Sequence, residues 1–349
     1  MKTILITGGA GFIGANLVRR VLALQPEWRV VNLDALTYAG DLARLADVAD
    51  DPRYAFERVE LADRAAVAAL FRRRPIDVVF HLAAESHVDR SILEPALFIQ
   101  SNVLGTQNLL DAARDAKVER FLHVSTDEVY GALGPTGRFT ESTPLSPNSP
   151  YSASKAAADL LVRAACATFG FPAVITRCSN NYGPWQFPEK LVPLMICNAL
   201  DQKPLPVYGD GQQVRDWIHV DDHCDGMLAA AERGRIGEIY NLGGDCERPN
   251  LEIVESVLRI LGRDGSSIRH VADRPGHDRR YAIDASKAKA ELAWAPRRRL
   301  DEGLRETVRW YQEHGEWVAR VRSGAYRDYY ERQYGGRLRS PVRPEGARP

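Results

Sequence analysis

The stretch Thr7-Gly8-Gly9-Ala10-Gly11-Phe12-Ile13-Gly14 constrains this chain more than any other. It follows a β-branched run, Lys2 to Thr7, and opens a segment, Gly14 to Leu24, with apolar residues at helical spacing. Glycine at 8 suits a tight turn, glycine at 11 lets backbone approach a pyrophosphate, and glycine at 14 lets the helix press on the strand. The helix N-terminus then turns its free N–H groups toward the phosphates. Asp34 ends the second run, about twenty residues on, where a carboxylate meets an adenosine ribose diol and repels a 2′-phosphate. No arginine follows it directly, so NAD is expected rather than NADP.

The runs Ile4–Thr7, Val30–Asp34, Ala55–Leu61, Val78–Ala83, Phe121–Ser125 and Val174–Arg177 are short and apolar. Helical patterns such as Pro95–Ala116 separate them, which predicts a parallel sheet covered on both faces. The expected fold is α/β: a Rossmann-type doubly wound parallel sheet with a smaller C-terminal α/β substrate-binding lobe. After Gly183, proline and glycine become dense and the alternation turns irregular. We therefore divide the chain into 1–183, mainly the NAD-binding domain with the catalytic residues, and 184–334, mainly the second lobe, allowing the chain to cross between them. That lobe is expected to hold a helix from Asp221, a strand Glu238–Gly243 and a helix near Leu251–Leu261, with Asn250 as its N-cap. Residues 335–349, rich in Gly, Pro and Arg, are expected to be disordered.

A formal net charge of zero gives no reason to expect nucleic acid or an anionic membrane as partner. The clusters Arg72-Arg73-Arg74 and Arg297-Arg298-Arg299 suit solvated helix ends. Five cysteines with no C-x-x-C spacing argue against a disulfide frame or a zinc site, and no metal is expected. With a strand at the start and no apolar run of bilayer length, a soluble cytoplasmic protein is expected.

Chemistry concentrates at the end of the run Phe121–Ser125, in Thr126-Asp127-Glu128, and in the helical pair Tyr151 and Lys155. Residues four apart share a helical face. A phenol is a poor base until nearby positive charge, an ammonium or an oxidised nicotinamide, favours the phenolate. Adjacent carboxyls can divide an acid role from a base role when burial and repulsion separate their pKa values. The set suggests oxidation coupled to loss of water.

TGGAGFIG (7–14), STDEVYG (125–131) and YSASK (151–155) resemble the extended short-chain dehydrogenase/reductase superfamily. Within it, TDEVYG, CSNNYGPWQFPEKLVPLMI (178–196), RDWIHVDDH (215–223) and DRPGHDRRYAIDASK (273–287) resemble the dTDP-glucose 4,6-dehydratases, over about residues 2–334. The resemblance implies that Tyr151 deprotonates the glucose C4 hydroxyl as hydride passes to NAD⁺. Glu128 then removes the C5 proton, Asp127 protonates the departing C6 hydroxyl, and the hydride returns to C6. Thr126 and Ser86 would hydrogen-bond near the C4 oxygen, and Lys155 is the ammonium neighbouring Tyr151. Cofactor contacts implied are Gly8, Gly11, Phe12, Ile13, Gly14, Asp34, Leu36 and Thr37, followed by Glu60, Leu61, Leu82, Ala83, Ala84, Ser86, Ser101, Tyr151, Lys155 and Asn181. Glu60 stands where relatives often have Asp, and Ser101 where they commonly have Thr.

The nucleotide-diphosphate site implied comprises Asn180, Lys190, Leu191, Pro206, Val207, Tyr208, Arg215 and Asn250, with Asp273, Arg274, Pro275, Gly276 and His277. Arg215 and Lys190 suit a pyrophosphate by charge. His81, His123 and His219, in strand-like runs, are expected to be structural. The resemblance also implies a homodimer, with Pro95–Ala116 and Tyr151–Phe169 as its share of a four-helix bundle. Alternatives are a UDP-glucose 4,6-dehydratase, a sugar-nucleotide 4-epimerase, which Asp127-Glu128 disfavours, and a catalytically silent NAD-binding regulator, for which the intact Thr126, Asp127, Glu128, Tyr151 and Lys155 would be superfluous.

Overall fold

In the computed structural model, which describes residues 2–339, the strands are β1 (Lys2–Thr7), β2 (Trp28–Asp34), β3 (Tyr54–Arg58), β4 (Val78–His81), β5 (Arg120–Thr126) and β6 (Ala173–Cys178). They continue as β7 (Asn180–Tyr182), β8 (Leu205–Tyr208), β9 (Val214–His219), β10 (Ile239–Leu242), β11 (Glu247–Pro249) and β12 (Ile268–Val271). A seven-stranded parallel sheet has the order β10-β6-β5-β4-β1-β2-β3. The winding reverses between β1 and β4, and the crevice beyond the strand ends at such a reversal is where open α/β sheets bind ligands.

Both faces of the sheet are covered, which is why the strand runs are continuously apolar. Alternate residues of β1 point to opposite sides. Ile4 and Ile6 pack with the helices Phe12–Leu24 and Val220–Arg233, through Leu17, Val18, Cys224 and Met227. Leu5 packs with Val67, Leu70, Leu109 and Val162 from the helices Arg64–Arg73, Gly105–Asp115 and Pro150–Phe169.

The helix Pro150–Phe169 carries Tyr151 and Lys155, and its start is tightly set. Ser149 Oγ accepts from Ser152 N at 3.1 Å, Ser152 Oγ accepts from Ser149 N at 3.0 Å, and Pro150 occupies the first turn. Gly170, with φ of 62°, ends it.

The second lobe has the small sheet β11-β9-β7, the pair β12-β8, and cores built around Trp217, Val257, Leu304 and Tyr311 and around Leu194, Val207 and Val254. Three expectations need correction. Strand β10 and the helix Val220–Arg233 belong to the main sheet, because their apolar faces fit its uncovered edge and surface. Asn250 is the first helical residue rather than the N-cap: Pro249 takes the cap position (φ −58°, ψ 145°), and Asn250 Oδ1 has no hydrogen-bond partner. Gly335 ends a π-type turn (Glu331–Gly335) and Gly336–Arg339 is helical, where disorder was expected; Tyr334 anchors this segment by burial against β8. Residues 340–349 lie outside the described residues.

Candidate active site

A continuous cavity runs along the carboxyl ends of β1, β2, β4 and β5. At its cofactor end, Gly8 has φ of +72° and a Cβ there would lie 2.8 Å from Ala83 backbone atoms. A Cβ on Gly14 would lie 2.1 Å from the Gly8 carbonyl oxygen, so both positions require glycine on steric grounds. Gly11, Phe12, Ile13, Thr37, Glu60, Leu61, Leu82, Ala83, Ala84, Ser86, Ser101 and Asn181 all line the wall. Asp34 lines it too, accepting from Ala10 N at 3.0 Å and Leu36 N at 2.8 Å. Burial pushes its carboxyl up and those two N–H groups hold it back. Leu36 is outside the wall; its left-handed backbone (φ 56°) turns its N–H toward Asp34.

At the reaction end, Thr126 closes β5 and Asp127 and Glu128 begin a single 3₁₀ turn capped by the Thr126 hydroxyl. Asp127 is 1% exposed and its Oδ2 has no hydrogen-bond partner. Burial, then the neighbouring Glu128 and Asp216 carboxylates, push its pKa well above the ordinary range, against Arg215. Burial also raises Glu128, but Arg274, Lys190 and Arg215 all oppose the rise. Two adjacent carboxyls thus sit in different fields: burial raises both, Asp127 well above the ordinary range with carboxylates beside it, and Glu128 against the opposing charge of three cations.

Tyr151 and Lys155 line the same cavity. Burial and Glu128 push the Tyr151 phenol well above its ordinary pKa, while the Thr126 hydroxyl pulls against them. Protein groups therefore favour the neutral phenol. Lys155 is 3% exposed and donates to the Val124 carbonyl at 2.9 Å. Burial lowers its pKa, and Asp159, one turn further along the helix, is the chief group resisting that.

The residues expected at the substrate divide into two groups. Ser86, Thr126, Asn180, Lys190 and Leu191 line the cavity, and Lys190 Nζ donates to the Ser86 carbonyl at 2.7 Å. Pro206, Val207 and Tyr208 on β8, Arg215 on β9, Asn250, and the turn Asp273–His277 stand outside its wall. In that turn Gly276 has φ of 63°, and His277 Nδ1 lies 2.6 Å from Asp273 Oδ1. His277 also sits edge-on to Tyr208, and burial draws its pKa down to about 4. Arg274 and Tyr208 both bond the buried Asp89, at 2.9 and 2.8 Å. Pro275 is exposed.

Sequence reasoning missed Glu85, Cys178, Gln186, Phe187 and Glu189, which line the cavity, and Asp89. Glu189 adjoins Lys190 and could have been found from that turn. Asp89 had no signal, since Arg274 is 185 positions away. His81 bonds Thr7 and Thr106, His123 Nε2 lies 3.2 Å from Asp159, and His219 caps the helix Val220–Arg233, so all three have structural partners. Among the described residues no cluster of His, Cys, Asp and Glu is arranged to hold a metal.

A family model described as GDP-mannose 4,6 dehydratase matches residues 5–307. A dTDP-glucose 4,6-dehydratase of Xanthomonas campestris pv. campestris (strain B100) is 53% identical over 345 residues, covering 94% of this chain and 98% of its own length. One from Neisseria meningitidis serogroup B is 51% identical, with the same coverages. The chain belongs to the dTDP-glucose 4,6-dehydratase family. Among solved structures, the family's DesIV from Streptomyces venezuelae, with NAD and dTDP bound, superposes with a TM-score of 0.89 at 50% identity, covering 91% of this chain and 99% of that one. The Rossmann-type fold expected from the glycine turn is the fold these family members share.

Proposed function

We propose that this chain is an NAD-dependent hydro-lyase that converts dTDP-glucose into dTDP-4-keto-6-deoxy-glucose. Membership of a family sharing about half its residues over nearly the whole chain supports the substrate and the cofactor. The observation that carries the mechanism is the contrast in surroundings between a buried Asp127, pushed well up by neighbouring carboxylates, and a cation-flanked Glu128 beside Tyr151. Bound NAD supplies a reversible store for one hydride and a positive ring near the phenol. Tyr151 takes the proton of the C4 hydroxyl, with Thr126 and Ser86 on the C4 oxygen. The resulting ketone acidifies C5, whose proton Glu128 removes, while Asp127 gives its proton to the C6 hydroxyl so that water leaves. The stored hydride returns to C6 and a proton returns to C5.

Residues 1–183 hold most of the cofactor and catalytic groups and 184–334 most of the nucleotide-sugar contacts, with the chain crossing back through β10. Lys190, Arg215 and Arg274 form the cationic set for the diphosphate. The five cysteines are free, which supports a reducing compartment such as the cytoplasm, and no helix among the described residues is long and apolar enough to cross a membrane. We also assign a homodimer. Leu97, Ile99 and Leu104 on one helix run and Leu160 and Phe169 on another are exposed, an apolar surface fitted to a second copy.

The test is mass spectrometry of dTDP-glucose incubated with the protein in ordinary water and in D₂O. Loss of one water with a single deuterium in the sugar is expected. A product of unchanged mass that separates as the galactose isomer would replace this reading with an epimerase. Turnover of UDP-glucose in preference to dTDP-glucose would replace the substrate.

A further inference from the structure

Arg44 is 0% exposed, and among the described residues no carboxylate lies within 4.0 Å of its guanidinium. Burial without an ion-pair partner is costly for a cation, so the position calls for a physical account. Burial draws its pKa down to about 10, which leaves it charged at neutral pH. Its partners are three carbonyls from three different segments. Nη1 donates to Ala10 O at 2.8 Å, in the glycine turn, and to Ala39 O at 2.6 Å, in the loop after Asp34. Nε donates to Trp185 O at 3.1 Å, in the turn that leads into the second lobe. Nη2 has no hydrogen-bond partner in this buried setting.

Each contact leads to the cofactor end of the cavity. The Ala10 unit that offers its carbonyl to Arg44 also donates its N–H to Asp34 Oδ2. Ala39 is itself part of the cavity wall, as are its neighbour Gly40 and Asp34. The opposite side of the guanidinium belongs to the C-terminal helices. Its Cζ lies 5.1 Å from the centroid of the Trp317 ring, within cation–π range. Trp317 Nε1 in turn donates to Asp41 at 2.9 Å, and Arg320 reaches the same carboxylate at 2.7 Å. Tyr311, from the helix Leu300–Glu313, donates to the Gln186 carbonyl, and Gln186 lines the cavity.

We propose that Arg44 is a positioning residue for the cofactor: one buried guanidinium clamps the glycine turn to the ribose loop and ties both to the C-terminal helices through Trp185 and Trp317. Retention of NAD through successive turnovers therefore depends on the folded second lobe, although that lobe supplies few of the cofactor's contacts. The inference rests on NAD as cofactor.

The test compares the full-length protein with Arg44→Lys, which keeps a charge but loses the fork, and with Arg44→Met. NAD content after purification, the NAD dissociation constant by calorimetry, and turnover with and without added NAD are measured well below each variant's melting temperature. Arg44's bonds lie within the protein, so only the part of their energy gained when NAD orders the turn and loop reaches the affinity; one charged hydrogen bond's worth corresponds to a dissociation constant raised about tenfold. Turnover lost on purification should return on adding excess NAD. If either variant does not fold, Trp317→Phe reports the same coupling, with a smaller weakening in the same direction. Unchanged NAD affinity in the folded variants would overturn the inference, as would a turnover loss that added NAD does not restore. A wild-type protein that binds no NAD would overturn the cofactor assignment as well, which separates the two failures.

Discussion

Replacing Asp127 by Asn separates the elimination from the oxidation that precedes it. The side chain is buried, one oxygen has no partner, and Glu128 and Asp216 repel its ionised form. The folded protein therefore favours its protonated form, and Asn matches that form in shape and charge while lacking a proton it can give up. General acid catalysis contributes about 10²–10⁴ in rate. At about 1.36 kcal/mol per tenfold, that is about 2.7–5.5 kcal/mol of barrier, all of it on C6–O cleavage. In a single turnover of the loaded enzyme followed by nicotinamide absorbance, reduced cofactor should form at the wild-type rate and then persist. In D₂O the trapped sugar should take deuterium at C5, because Glu128 still exchanges that proton. The linked stability effect has a definite sign. A carboxyl whose folded pKa is raised binds its proton more tightly in the native state, so its relative stabilisation is complete below the unfolded pKa near 3.9 and is lost as pH rises through the folded value. At pH 7 the wild type bears that loss and Asp127→Asn does not, so the variant should melt no lower than wild type. The gap should close toward pH 4. Failure to form reduced nicotinamide, or unimpaired product formation, would refute the assignment of Asp127 as the acid.

Gly14→Ala should abolish NAD binding or folding, since its Cβ would sit 2.1 Å from the Gly8 carbonyl oxygen; calorimetry against NAD and circular dichroism tell the two apart. Asp159→Asn should cost about 3–5 kcal/mol in denaturant unfolding by leaving the buried Arg177, now 2.8 Å from the carboxylate, without its partner. Burial draws His123 down to about 4 and His223 to about 3, so the unfolded state takes up protons first. The melting temperature should fall as pH drops from about 6.5 toward those values. Leu160→Asp with Phe169→Lys should turn a dimer into a monomer in sedimentation velocity; a wild-type protein that sediments as a monomer removes the dimer assignment.

The glycine turn, the parallel sheet and the Tyr151–Lys155 helix were legible in the sequence because each rests on local chemistry. Glycine spacing, short continuous apolar runs and an i, i+4 pair leave signatures within a few residues. The cation set around Glu128 was legible only through resemblance, since Lys190, Arg215 and Arg274 come from distant segments. The place of β10 was misread for a similar reason. A short apolar strand looks the same in either lobe, and its pairing with β6 is decided by which sheet edge is free.

By itself, then, the sequence determined which groups the site could use: a turn without side chains for phosphates, a ribose carboxylate, two carboxyls and a phenol. Tertiary structure decided what state those groups take. Asp127 and Glu128 are neighbours with nearly the same chemistry, and only their surroundings, carboxylates beside one and cations around the other, separate the roles proposed for them. The same holds for Arg44, which nothing in the local sequence singles out: folding removes it from water and leaves it three carbonyls. Electrostatic energies depend on burial and on charges brought near from elsewhere in the chain, and neither is a property of a local stretch of residues.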